Sequence, residues 1–195
     1  IKEHLKGIAN FKIFDFKKDL HGYIEYLDKK LSGSITTYKT NLKDFFKGEC
    51  WSDWPDEVKF RKLRAVQKYT ETLKNEIDFW MFMQWQFFRQ WHRLKKYANE
   101  KGIEIIGDVP LYVSTNSADV WVNTDIFHLD KDLNPTHVGG VPPDYFSKTG
   151  QLWGNPVFNW KRLEERQFDW WLARLLFNVN MFNLVRIDHF RGLES

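Results

Sequence analysis

The sequence predicts a parallel α/β fold, and three observations predict it. A helix-patterned stretch leads into a short apolar strand, and the same order occurs twice. Both strands, residues 103–108 and 183–188, are short and rich in β-branched and aliphatic residues, which reads as buried strand. Each ends on an aspartate, Asp108 and Asp188, and in parallel α/β folds ligands bind at the carboxyl ends of the strands. A single such aspartate is as readily a helix cap. Two at equivalent places favour a shared site.

Residues 1–50 are lysine-rich and weakly patterned; Phe16, Leu20, Tyr23, Ile24 and Leu27 share a helical spacing that Gly33 closes, and 34–50 reads as loop and short helix. Asp53-Trp54-Pro55-Asp56 has the composition of a helix start: an acceptor for the first amides, an early proline and acid in the first turn. Leu63, Val66, Tyr69, Leu73 and Ile77 mark one face of the helix expected there. From Ile77 to Ala98 the apolar positions, among them Trp80, Met81, Phe87, Phe88, Trp91 and Leu94, step by three and four. That stripe predicts a helix buried against a sheet, stopped by Gly102. Phe168, Trp171, Leu172, Leu175, Leu176 and Val179 repeat the pattern before the second strand. Between the two units, residues 109–166 are rich in turn formers. Trp121, Phe127, Tyr145, Phe146, Trp153 and Trp160 nonetheless predict an ordered excursion over the strand ends. The division expected is a mainly helical segment over 1–102 and, over 103–195, two strands with an inserted subdomain at 109–166.

Composition narrows the function. Hydrophobic residues make up 43% and charged residues 28%, an ordinary globular balance, and the net charge of +3 is too small to argue for nucleic acid. The longest apolar runs fall short of a bilayer span and no secretory leader is visible, so neither membrane insertion nor export is expected. A lone cysteine, Cys50, excludes an internal disulfide, reads as a small apolar filler and fits a cytoplasmic location. His92, His128, His137 and His189 have no partners at ligand spacing along the chain, and no glycine-rich phosphate loop follows a strand. No metal and no cofactor are therefore expected. Aromatic content reaches 17%, which serves either a large core or stacking on sugar rings; the helical spacing of most of these residues assigns them to core.

The densest chemistry is Arg186-Ile187-Asp188-His189-Phe190-Arg191-Gly192, a carboxylate among cations directly after a strand. On a strand Arg186 and Asp188 share a face, and a guanidinium there favours the charged carboxylate that a nucleophile requires. By itself such a pair is as readily a structural salt bridge.

Five segments in order carry a family resemblance: Gly107-Asp108-Val109-Pro110-Leu111-Tyr112-Val113, Ser117-Ala118-Asp119-Val120-Trp121, Gly140-Val141-Pro142-Pro143-Asp144-Tyr145-Phe146-Ser147, Gly150-Gln151-Leu152-Trp153-Gly154-Asn155-Pro156, and the Arg186–Gly192 heptapeptide. Together they resemble the 4-α-glucanotransferases (amylomaltases) of glycoside hydrolase family 77, over roughly residues 51–195. The resemblance implies part of a (β/α)8 barrel, with 103–108 and 183–188 as its third and fourth strands and an irregular insert between them. It implies retaining transfer of α-1,4-glucan chains between maltooligosaccharides or to glucose, with no cofactor. By this resemblance Asp188 is the nucleophile. Asp108, Arg186 and His189 border the cleavage subsite, and Asp144, Tyr145, Phe146 and Trp153 belong to a loop over the bound glucan.

The family's acid/base glutamate has no counterpart here, since only Glu194 follows Asp188. With Ile1 at the start and the heptapeptide near the end, the chain is expected to be an internal segment, inactive alone. Two other readings stay open: an α-amylase-like glucan hydrolase, and a non-catalytic glucan-binding module.

Overall fold

The computed structural model describes residues 34–145 and 147–193. The helical spacing between Phe16 and Leu27 lies outside them, as does Phe146. The chain opens with helix α1, Ser34–Phe45. A 3-10 turn at Trp51–Asp53, a four-residue helix α2, Asp56–Lys59, and helix α3, Leu63–Thr72, follow. The helix start expected over 53–56 is met by α2, with Asp56 and Glu57 in its first turn, but Asp53 lies in the preceding 3-10 turn and Pro55, not an acidic side chain, stands before α2. The break before α3 falls at Arg61, whose φ of 52° lets the chain reverse, while its guanidinium donates to the Trp121 carbonyl. The reversal brings Trp51, Trp54 and Val58 into one buried cluster. Cys50 is exposed rather than a filler; its Sγ accepts from Asn116 Nδ2 at 3.4 Å.

Helix α4 is a long one, Lys74–Glu100. It ends where the sequence indicates: Gly102 takes φ 76°, its amide donates to the Asn99 carbonyl at 3.0 Å, and the Ile103 amide donates to Ala98 at 3.0 Å. These two bonds occupy carbonyls that a helix end otherwise leaves open. The burial expected of its aromatic stripe is partial, with Phe88 on Phe177 and Trp91 on Phe182 half-buried. Ile77 is buried, whereas Trp80, Phe87 and Leu94 are exposed among the described residues. No helix among these residues is long and apolar enough to cross a membrane.

Strand β1, Ile106–Val109, precedes the insert, which contains the short helix α5, Ala118–Val122, and a hairpin of β2, Val138–Val141, with β3, Gln151–Pro156. Helices α6, Trp160–Glu165, and α7, Asp169–Met181, lead into strand β4, Leu184–Ile187. β1 and β4 lie side by side in parallel, Asp108 opposite Arg186. Asn183 sets their start: its Oδ1 accepts from the Ile105 amide at 3.1 Å and from Asn99 Nδ2 at 3.1 Å, joining the end of α4 to both strands. Gly107 is required at this crossing, because a Cβ there would stand 2.1 Å from the Phe182 ring.

The core lies elsewhere than on the strand pair. Leu42, Trp51, Trp54 and Val58 from the N-terminal helices pack with Leu111, Val120, Trp121, Ile126, Phe127, Phe158, Leu163 and Trp171 from the insert and α7. Polar bonds accompany the packing. The buried Lys39 donates to Asn116 O at 2.9 Å, and Trp51 Nε1 donates to Thr115 O at 2.8 Å. Ser117 caps α5 by accepting from the Val120 amide at 3.2 Å. The excursion after β1 is therefore a packed unit.

Candidate active site

Parallel pairing places Asp108 and Arg186 directly across from one another. Arg186 presents a fork to Asp108, Nε to Oδ1 at 3.0 Å and Nη2 to Oδ2 at 2.7 Å. The same Nη2 reaches Asp188 Oδ1 at 3.1 Å, so one guanidinium holds two carboxylates. Asp188 follows β4 directly, and its amide donates to the Val109 carbonyl at 2.9 Å, extending the ladder by one bond. The neighbouring strand thus fixes its backbone.

The Arg186 hydrogen bonds hold the Asp108 carboxyl below the usual carboxylate range, and Asp108 in turn raises the Arg186 pKa above its already high ordinary value. All three side chains keep more than half of their surface open, 55% for Asp108, 61% for Arg186 and 57% for Asp188. A trio this exposed adds little to stability. Its effect is on charge and orientation: Asp188 is pointed by its guanidinium partner and remains open to a ligand.

Aromatic rings border the trio. His189 has φ 52°, an uncommon conformation for a residue with a Cβ. Its ring meets Trp153 edge to face at 5.1 Å and lies 6.4 Å from Tyr112. Tyr112 lies 6.0 Å from Trp153 and stacks on buried Phe158 at 6.2 Å, linking these rings to the core. Two glycines leave room for the arrangement. A Cβ on Gly139 would come 2.9 Å from the Tyr112 ring, and one on Gly192 would come 2.3 Å from Leu111 and 2.9 Å from His189. Tyr112 is the residue that sequence reasoning passed over. It stands in the segment after β1, and only the pairing of that segment with the hairpin shows its place.

The structure therefore joins Asp108 to Arg186 and Asp188 across two strands 78 residues apart in sequence, and sets Trp153 of the hairpin against His189, which follows Asp188. Asp144 and Tyr145 lie in the connection of the hairpin. Asp144 Oδ1 accepts from the Ser147 amide at 2.8 Å, closing its own turn, and Tyr145 is fully exposed. Among the described residues no group of three or more His, Cys, Asp or Glu side chains is gathered as for a metal.

Comparison with known proteins bears on this geometry. The family profile described as 4-alpha-glucanotransferase, glycoside hydrolase family 77, matches residues 12–195, which extends the resemblance well before residue 51. A 4-alpha-glucanotransferase of Clostridium butyricum is 48% identical over 194 residues, 97% of this chain and 39% of that protein. One of Aquifex aeolicus is 50% identical over 76% of this chain and 30% of its own length. The amylomaltase from Streptococcus agalactiae in complex with acarbose superposes with a TM-score of 0.80 at 40% identity, over 86% of this chain and 34% of that one. The chain spans between 30% and 39% of the length of these relatives.

Proposed function

Because the chain belongs to the 4-alpha-glucanotransferase family, glycoside hydrolase family 77, we propose that the full-length enzyme moves α-1,4-glucan chains between maltooligosaccharides, or to glucose, with retention at the transferred carbon. The observation that carries this reading is the Arg186 guanidinium shared by Asp108 and Asp188 at the ends of two adjacent parallel strands. In this reading β1 and β4 are neighbouring strands of a (β/α)8 barrel, and the trio sits at the face where such barrels place their chemistry.

The chemistry then divides among named groups. The Asp188 carboxylate attacks the anomeric carbon of the donor. The glycosidic bond breaks, and the departing oxygen takes a proton from a second carboxyl group. A sugar 4-hydroxyl, losing its proton to that same group, then attacks the glycosyl ester and frees Asp188. Asp108 is excluded as the proton donor. A general acid needs a raised pKa, whereas the Arg186 fork keeps Asp108 ionised. Asp108 instead holds Arg186 in place. The acid comes from the part of the enzyme that relatives have and these residues do not span. No step calls for a cofactor.

His189 and Trp153, braced by Tyr112, offer a rigid wall on which a glucose ring can lie. Asp144 and Tyr145, in the connection of the hairpin, and Phe146, next to them in sequence, are proposed to contact the bound glucan. Such a cover removes water, which competes with the acceptor hydroxyl for the glycosyl ester. The acarbose carried by the structural neighbour supports a saccharide as the occupant.

The test is incubation with maltotriose. The full-length enzyme is expected to release glucose and a ladder of longer maltooligosaccharides. Shorter products alone would make it a hydrolase, and binding without turnover would make it a glucan-binding protein. The 195-residue polypeptide alone is expected to show no turnover. Longer products from it would overturn the assignment of the acid to another part of the enzyme.

A further inference from the structure

The insert carries a pair of histidines that the glucan chemistry does not use. His128 and His137 are nine residues apart, and along the chain that spacing suggests nothing. The fold sets their rings 5.6 Å apart between centroids, at 67° to one another. Both are exposed. Their backbones are tied to one residue from opposite sides: the His128 amide donates to the Val157 carbonyl at 2.9 Å, and the Val157 amide donates to the His137 carbonyl at 3.3 Å. Val157 lies beside Phe158, which pairs with Phe127 and is buried in the core. The bridge Leu129–Pro135 closes the loop between the two histidines. The pair is therefore mounted on a rigid three-segment platform, not on a mobile loop.

Thr136 assigns a tautomer to one of them. Its Oγ1 lies 3.1 Å from the His128 carbonyl oxygen and 3.0 Å from His137 Nδ1. A carbonyl only accepts, so the single hydroxyl proton goes to it. The hydroxyl oxygen then accepts from His137, and both bonds coexist only when Nδ1 carries the proton. The lone pair of His137 is left on Nε2, which points away from the threonine. A ligating histidine is oriented in this way, by a bond from its other ring nitrogen.

We propose that His128 and His137 form a two-histidine site for a borderline divalent ion of the zinc, nickel and copper group. Two imidazoles sharing one ion at about 2.0–2.1 Å per bond keep their ring centres roughly 5–6 Å apart, as these are. Imidazole pairs favour copper over zinc and have little affinity for magnesium or calcium, which take oxygen ligands. The ion would clamp the loop between the histidines onto the insert core.

The test is titration of the untagged full-length chain with each metal alone. One Zn2+ per chain is expected, Cu2+ binding more tightly, and no heat from Mg2+ or Ca2+. His128→Ala and His137→Ala should each weaken Zn2+ at least tenfold. Thr136→Val, which removes the orienting hydroxyl and leaves both rings, should weaken it about threefold. Zinc affinity unchanged in both histidine variants would overturn the site. A second measurement needs no variant: a small amount of Cu2+ added to the wild-type protein should broaden the ring signals of His128 and His137 together, ahead of other histidines. Broadening elsewhere first would overturn the proposal too. Neither readout involves glucan turnover.

Discussion

The unit formed by the N-terminal helices and the insert is built in the opposite manner from the strand pair and helix α4. In the former, Leu42, Trp51, Val120, Trp121, Phe158 and Leu163 are almost wholly buried, and backbone and side-chain bonds close around them. In the latter, Ile106 and Leu184 stand exposed, α4 buries only Ile77, and the charged trio keeps most of its surface. The candidate site lies on the open region and is joined to the closed one through Phe158, Tyr112 and the rings at His189. A reactive carboxylate has to reach a ligand, so it cannot be held by burial. It is held by one guanidinium and one strand bond, while the rings beside it draw rigidity from a core some residues away.

That division can be broken at several points. The largest effect is expected from Asp188→Asn, which keeps the shape and removes the charge. Transfer from maltotriose by the full-length enzyme should fall on the order of 10^4-fold with the melting temperature hardly changed. A loss of stability matching the loss of rate would mean that the trio is structural. Trp121→Ala should act in the converse way. It removes a ring packed against Tyr38 and Trp54 and the bond from its Nε1 to Lys59 O, and is expected to cost about 3–5 kcal/mol in a denaturant titration. An effect under about 1 kcal/mol would show that the insert does not share one core with the helices.

Tyr112→Leu tests the connection between the two regions. It keeps apolar volume but loses the plane under His189 and Trp153, and kcat is expected to drop about tenfold with little change in stability. Tyr112→Phe should restore the rate, because the ring and not the hydroxyl makes the contacts.

The smallest effect concerns acid. The folded-state pKa of Asp108 lies below its unfolded value, so its contribution is present above the ordinary carboxylate range and fades as the pH falls through the depressed pKa. The stability difference between wild type and Asp108→Asn should therefore be greatest near neutrality and shrink toward about pH 3. A gap that widens on acidification would contradict the charge assignment.

Much of this was legible along the chain because it depends on local physics. Three-four spacing foretells α4 and α7, Gly102 the end of α4, and the aliphatic runs the two parallel strands. The Arg186–Asp188 contact follows from alternation on one strand. What failed locally failed for tertiary reasons. Asp53 is drawn into a turn because Trp51 and Trp54 have a core to enter, and the stripe on α4 is only half covered because it meets α7 through Phe88 and Trp91 while Trp80, Phe87 and Leu94 face outward.

By itself the sequence named the candidate site residues and the stretches that hold α4, α7 and the two strands, since propensity, capping and periodicity act within a few positions. Only the tertiary structure decided that Asp108 shares an arginine with Asp188, that Tyr112 lies beside His189, and that two histidines nine positions apart face each other. Those are pairings between distant segments. They are fixed by how a crowded set of tryptophan and phenylalanine rings packs, and no local pattern encodes that packing.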